Sequence, residues 1–211
     1  MSKAIIFTGG GTPSRLPPDL KQEDDMVFAA DSGYEAAKAL GIPVDFCLGD
    51  FDSTKLFAEI QNLRYEKSPS EKDESDTELA LRKAFSLGFS RYMLVGGGGF
   101  RMDHLFSTYS LFTVYGPPAA WYTAYESLYL VETYRRFDHL NPPQTVSFLP
   151  ASFSTEVRVT AKQLRWPLVQ YVLSMSSISL SNRAEDQFLE VFINGGEGKL
   201  FVSFPVADRL P

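Results

Sequence analysis

Apolar residues follow two different rhythms along this chain, and the change of rhythm divides it. In the first part, short apolar runs alternate with stretches of helical period. Ala4-Ile5-Ile6-Phe7, Val27-Phe28-Ala29-Ala30, Val44-Asp45-Phe46-Cys47-Leu48-Gly49 and Tyr92-Met93-Leu94-Val95 read as strands. Residues 34–40 and 77–87 read as helices. Ser32 and Glu35 stand at capping-box spacing before the first, which Gly41 and Pro43 close. Ser75 and Glu78 repeat the device before the second, and Gly88 ends it. A third helix takes Asp103 or Ser107 as its cap, with Leu105, Phe106, Tyr109 and Phe112 on its apolar face. Strands separated by helices imply a largely parallel sheet with right-handed crossovers.

From about Glu132 the helical period disappears. Residues 145–149, 156–160, 188–193 and 200–204 are short β-branched or aromatic runs, and Asn194-Gly195-Gly196-Glu197-Gly198 reads as a hairpin turn. The pattern predicts an α/β fold in two parts. Residues 1–131 form a mostly parallel sheet with flanking helices, and residues 132–211 an all-β sandwich or barrel. Asn141-Pro142-Pro143 lies near the junction.

Composition narrows the picture. At 211 residues and 44% hydrophobic, the chain can bury a real core. Cys47 is its only cysteine, which excludes an intramolecular disulfide and a cysteine-based metal cage; between Phe46 and Leu48 it reads as a buried structural thiol. No apolar stretch approaches the roughly 18 residues of a membrane span. The N-terminus enters a strand pattern without a signal-peptide core, so a cytoplasmic protein with no membrane partner is expected. There are 26 acidic against 20 basic residues, a formal charge of −6. With no basic stripe visible, this balance argues against nucleic acid as a partner.

Five aspartates collect where strands end or a helix begins: Asp31, Asp50, Asp52, Asp73 and Asp76. Glycine clusters, residues 9–11 and 96–99, mark two further strand ends. Open α/β sheets bind ligands outside the carboxyl ends of their strands. Glycine lets backbone N–H groups approach phosphate, and carboxylates are hard oxygen ligands for Mg²⁺. Carboxylates this dense would repel a polyphosphate unless divalent cations lay between them, so a metal-bound polyphosphate is the ligand class indicated.

Each motif has a plainer alternative. In Gly49-Asp50-Phe51-Asp52-Ser53 an extended chain would point both carboxylates the same way, toward a metal; otherwise the segment is an acidic turn with Asp52 or Ser53 as a helix cap. In Lys72-Asp73-Glu74-Ser75-Asp76, Asp73 or Asp76 would complete the metal site and Lys72 would touch phosphate. A solvated acidic cap is the other reading. Four successive glycines before Phe100-Arg101-Met102-Asp103-His104 suit a backbone wrapped round a ligand, with Arg101 bidentate to phosphate and His104 structural or phosphate-facing. His139 has nothing around it to support a role. Arg165-Trp166-Pro167-Leu168 and Ser179-Leu180-Ser181-Asn182 stand out in the β part, but the residues alone assign them to core, interface or a solvated edge.

Together with Asp31-Ser32-Gly33 and the run from Asp76 through Thr77, Glu78, Leu79 and Ala80 to Leu81, these motifs resemble thiamine pyrophosphokinases in order and approximate spacing over nearly the whole chain. The resemblance implies transfer of diphosphate from ATP to thiamine, giving thiamine diphosphate and AMP, with Mg²⁺ as cofactor. It also implies a homodimer with thiamine near the subunit interface. Carried over residue by residue, Asp50, Asp52, Asp73 and Asp76 bind metal, and Asp50, Asp52, Asp76 and Arg101 are catalytic. Asp31, Lys72, Gly98, Gly99, Arg101, Asp103 and His104 hold the nucleotide. Trp166, Ser181 and Asn182 hold thiamine, the indole face attracting its thiazolium cation. The chain departs from the family at Ser32, where a second glycine is usual, at Ser75, where threonine is, and at Arg183, where glutamate is.

The chemistry fits the residue types independently. Displacement at the β-phosphorus needs in-line positioning and charge cancellation rather than a covalent intermediate. Which aspartate would orient the attacking hydroxyl stays open. Two alternatives are a pyrophosphokinase of the same fold acting on another alcohol, such as a pterin, and a non-catalytic nucleotide or thiamine sensor. Trp166 and Ser181-Asn182 argue against the first, and the intact aspartate set against the second.

Overall fold

In the computed structural model, residues 2–52, 54–69, 71, 73–99 and 101–206 are described. Two compact units emerge, one of Met1–Leu111 with Pro118–Tyr125 and one of Phe112–Pro117 with Glu126–Pro211.

The first unit holds strands β1 (Ala4–Phe7), β2 (Met26–Ala30), β3 (Phe46–Gly49), β4 (Tyr65–Lys67), β5 (Tyr92–Val95) and β6 (Ala120–Tyr122). They lie side by side in the order β4-β3-β2-β1-β5-β6, and every pairing is parallel. β1 is entirely buried and β2 nearly so, as continuous apolar strands of a sheet covered on both faces must be. The strand order reverses direction at β1, between β2 and β5, and such a switch point opens a crevice at the carboxyl edge. The helices are α1 (Gly33–Ala39), α2 (Phe57–Ile60), α3 (Asp76–Ser86) and α4 (Met102–Tyr115).

The second unit contains β7 (Glu126–Val131), β8 (Tyr134–Asp138), β9 (Gln144–Pro150), β10 (Glu156–Ala161), β11 (Leu168–Leu173), β12 (Ser179–Ala184), β13 (Phe188–Glu197) and β14 (Leu200–Pro205). Two antiparallel groups, β12-β9-β14-β7 and β11-β10-β13-β8, contribute Val146, Phe148, Val157, Val159, Leu173, Leu189, Val191 and Val202 to one buried core. The expected α/β class, with a parallel sheet and an antiparallel β part, is the observed one. Among the described residues no helix is long and apolar enough to cross a membrane.

Several local expectations change. β1 and β2 are joined without a helix, through bends and turns. Ser32 makes no side-chain cap: its backbone is already helical (φ −60°, ψ −6°), so its hydroxyl is not aimed at the helix N–H groups as an N-cap requires. Ser75, extended at φ −73° and ψ 157°, does accept from Glu78 N. At the other end of α3, Phe89 N bonds Ala84 O at 3.2 Å and Gly88 N bonds Phe85 O at 3.0 Å, closing the helix in a Schellman pattern. Asp103 and Ser107 both fall inside α4, and Phe106 is 51% exposed rather than on a buried face. Asn194 to Glu197 is no turn but the bulged end of β13, where the backbone of Gly196 lies so close to β10 that a Cβ would stand 2.4 Å from Glu156 O.

Candidate functional site

The carboxyl edge of the parallel sheet opens into a cleft of about 410 Å³. Thr8, Gly9 and Gly10 line it from the end of β1, Asp31 and Ser32 from β2, Asp50 from β3 and Gly97 from β5. Glu74, Ser75, Asp76 and Thr77 line it from the start of α3, and Arg101 and His104 from the start of α4.

The acidic wall is set by backbone geometry. Asp31 ends β2 in a left-handed conformation (φ 46°), with its N–H bonded to Leu48 O at 2.8 Å and its carbonyl accepting from Tyr34 N at 3.1 Å. Beside it, a side chain at position 49 would place Cβ 3.2 Å from Asp31 Cβ, so glycine there gives the carboxylate room. The segment after β3 is not extended, as the alternating aspartates had suggested. Phe51 is left-handed at φ 61°, and its ring is buried, 5.2 Å from Phe57 in a stacked pair and edge-on to Tyr65 at 6.1 Å. With Phe51 buried, Asp50 and Asp52 turn outward, and Asp52 N donates to Asp50 Oδ1 at 3.2 Å. One carboxylate oxygen from each of Asp31, Asp50 and Asp52 lies within 4.8 Å of the others. Three hard oxygen donors converging from three anchored positions fit a small divalent cation.

The opposite wall suits anions. α3 points its first turn into the cleft, presenting backbone N–H groups and the positive end of its dipole. It is tied to β1 by a buried contact between the Thr8 and Thr77 hydroxyls at 2.6 Å. Gly97 lines the cleft, its N–H bonded to Gly9 O at 3.0 Å. Arg101 is exposed and forms a two-pronged pair with Asp103, Nε to Oδ1 at 3.1 Å and Nη2 to Oδ2 at 2.5 Å. That hydrogen bonding holds the Asp103 carboxyl below its usual range and pushes the Arg101 guanidinium up.

The structure therefore gathers Asp31, Asp50 and Asp76, with Arg101 and His104, round one cleft and puts Asp52 in the carboxylate cluster. Asp31, expected as a nucleotide residue, is one of the three clustered carboxylates. Asp73 is exposed and belongs to neither the cluster nor the cleft lining. Asp76 lines the cleft outside that cluster. Lys72, with Ser53 and Phe100 of the neighbouring motifs, lies outside the described residues. Gly98 and Gly99 have a packing reason to be glycine: a Cβ would stand 2.6 Å from Thr123 Cγ2 in one case and 3.0 Å from Tyr125 Cε2 in the other. Thr8 and Thr77, to whose hydroxyls the sequence assigns no role, also line the cleft.

In the second unit, Trp166 is 58% exposed, with the Arg165 guanidinium 5.9 Å from its ring centre. Asn182 is buried and holds that segment: Nδ2 donates to Trp166 O at 2.8 Å, while Oδ1 accepts from Trp166 N at 3.3 Å and Arg183 N at 2.8 Å. Ser181 sits in a β-bulge with φ 52°, its N–H bonded to Ser147 Oγ at 3.0 Å. Burial pushes the Cys47 thiol up to about 12, in keeping with a structural role.

Residues 18–117, which carry the acidic wall and the starts of α3 and α4, match the family model for the thiamin pyrophosphokinase catalytic domain. A search of curated protein sequences finds no match. Among solved structures, thiamin pyrophosphokinase from Geobacillus thermodenitrificans is similar at 26% identity and a TM-score of 0.72, with 99% of each chain covered. Thiamine pyrophosphokinase from Bacillus subtilis is similar at 20% identity and a TM-score of 0.73, covering 97% of this chain and 100% of the other. The Candida albicans enzyme is 14% identical with a TM-score of 0.68, covering 97% and 89%. At such identities the last two speak for the fold alone. Residues 18–117 thus match a thiamin pyrophosphokinase catalytic domain across the cleft, and the chain is similar from end to end to the Geobacillus enzyme.

Proposed function

We propose that the protein is a thiamine pyrophosphokinase that transfers diphosphate from ATP to the primary hydroxyl of thiamine, releasing AMP. The observation that carries this reading is one cleft lined both by Asp31 and Asp50, two of the three clustered carboxylates, and by the first turn of α3. A carboxylate cluster and a helix N-terminus on one cleft suit a polyphosphate held between a cation and helix amides.

In this reading Asp31, Asp50 and Asp52 hold Mg²⁺, which supplies charge neutralisation for the phosphate oxygens. Gly9, Gly10 and the α3 amides receive the phosphates. Arg101 exchanges the two Asp103 oxygens for two phosphate oxygens, keeping its bidentate geometry. Asp76, at the mouth of α3, orients the attacking hydroxyl. Trp166 offers its exposed face to the thiazolium. Ser181 bonds the pyrimidine, and Asn182 acts by fixing the Trp166 backbone. The protein works as a homodimer in the cytoplasm, where ATP and Mg²⁺ are abundant.

The test is direct. Purified protein is incubated with ATP, Mg²⁺ and a panel of primary alcohols that includes thiamine and a hydroxymethylpterin. Stoichiometric AMP and thiamine diphosphate with thiamine alone is the expected result. AMP formed only with the pterin, or ligand binding without turnover, would overturn the assignment.

A further inference from the structure

Glu35 lost the role its spacing had suggested, and its side chain points elsewhere. Its Oε1 accepts from Thr54 Oγ1 at 3.0 Å and from Lys55 N at 2.9 Å. Thr54, which is buried, also accepts from Leu56 N at 3.2 Å. One carboxylate oxygen thus joins two short tethers. On one side, Glu35 lies in the first turn of α1, four residues from Asp31, and the intervening backbone is bonded through Tyr34 N to Asp31 O at 3.1 Å and Glu35 N to Ser32 O at 3.1 Å. On the other side, Thr54 and Lys55 follow Asp52 by two and three residues. The chain then enters α2, whose Phe57 stacks on Phe51, the ring between Asp50 and Asp52.

We infer that Glu35 is a positioning residue that sets the spacing of the three-aspartate cluster, clamping the loop that carries Asp50 and Asp52 to the helix that follows Asp31. This rests on the reading of those carboxylates as metal ligands. Glu35 works through hydrogen-bond acceptance, not through its charge. A neighbouring tie, from Lys38 Nζ on α1 to Glu59 Oε1 on α2 at 2.7 Å, is exposed and further along α1, so it serves as a control for the docking of α2 on α1.

Mn²⁺ is the probe, with the free ion followed by electron paramagnetic resonance and melting curves recorded on the same samples. Glu35→Ala is expected to weaken Mn²⁺ binding about tenfold, the usual effect of losing a residue behind a metal ligand. The Mg²⁺ concentration for half-maximal AMP formation should rise by a similar factor, while the rate at saturating Mg²⁺ recovers. Glu35→Gln, which keeps Oε1 as an acceptor, should restore wild-type affinity, and Lys38→Ala should leave it unchanged. If Glu35→Ala does not fold, Thr54→Val carries the test, with a smaller loss expected. Unchanged affinity in a folded Glu35→Ala or Thr54→Val protein overturns the inference. So does a loss in Lys38→Ala equal to that in Glu35→Ala, or a failure of Glu35→Gln to rescue. If Asp50→Asn binds Mn²⁺ as tightly as the unaltered protein, it is the metal reading itself that has failed.

Discussion

The cleft of the first unit and the Trp166 corner of the second hold their functional groups by opposite means. In the cleft the backbone does the holding. Asp31 and Phe51 both sit in left-handed conformations, at φ 46° and φ 61°. Such residues cost on the order of 1–3 kcal/mol each and persist only where their surroundings fix them. In the corner a side chain does the holding: the buried amide of Asn182 grips the backbone of Trp166 while the indole remains largely exposed. Charges that must converge on one point need positions set before the ligand arrives. A ring that offers a face needs only its stem held.

Substitution should separate these two strategies most sharply at the aspartates. Asp50→Asn keeps volume and removes charge, so AMP formation should fall by roughly 100-fold or more, a loss of several kcal/mol in transition-state stabilisation. An unaltered melting temperature would show that the fold is intact, and near-normal turnover would break the comparison on the cleft side. Arg101→Lys comes next, because it loses the fork that grips two oxygens at once. KM for ATP should rise roughly tenfold while KM for thiamine holds. In the corner, Asn182→Ala should lower the stability of the second unit by about 1–3 kcal/mol, since two Trp166 backbone groups lose their partner. Denaturant titration measures this. Trp166→Phe should have the smallest kinetic effect, a several-fold rise in KM for thiamine, on the order of 1 kcal/mol of lost ring attraction, with KM for ATP unchanged.

Acid sharpens the contrast from the first unit's side. Asp25 is buried, which by itself raises its pKa. Hydrogen bonds from the Lys3 side chain and from the backbone of Gln22 and Lys3 outweigh this and hold it below the usual carboxylate range. Its contribution is therefore fully present above that range and disappears as pH falls through the depressed value. Asp25→Asn should flatten the acid limb of a stability–pH curve, and an unchanged limb would assign the loss to other groups.

Sequence made the parallel strands legible because buried strands read as unbroken apolar runs, and residues 4–7 and 92–95 appear with the observed bounds. β4, β6, β7, β8 and β11 were missed: β4 and β6 are three residues long, and β8, Tyr134–Asp138, carries Arg135 and Arg136 in place of apolar alternation. Ser32 with Glu35 and Ser75 with Glu78 share one spacing, yet only the second forms a cap. The difference lies in φ and ψ, which spacing does not encode. The aspartates were visible as charged residues at strand ends, but their convergence depends on a turn about Phe51 that no local pattern announces. Four glycines in a row suit a backbone wrapped round a ligand, but Gly98 and Gly99 also have a packing reason that the sequence does not show. Their contacts with Thr123 and Tyr125 come from more than twenty residues away.

Phe51 has a consequence for how this chemistry can be lost through descent. The two carboxylates beside it face outward because one ring is packed against Phe57 and Tyr65. Neither of those residues lines the cleft, and Tyr65 lies on β4 at the edge of the sheet, outside the acidic motif. A lineage could keep every aspartate and still fall silent by replacing that aromatic pair with small side chains. Counting acidic residues in a distant relative is then a poor measure of whether it still turns over; the bulk at positions 51, 57 and 65 is the better one.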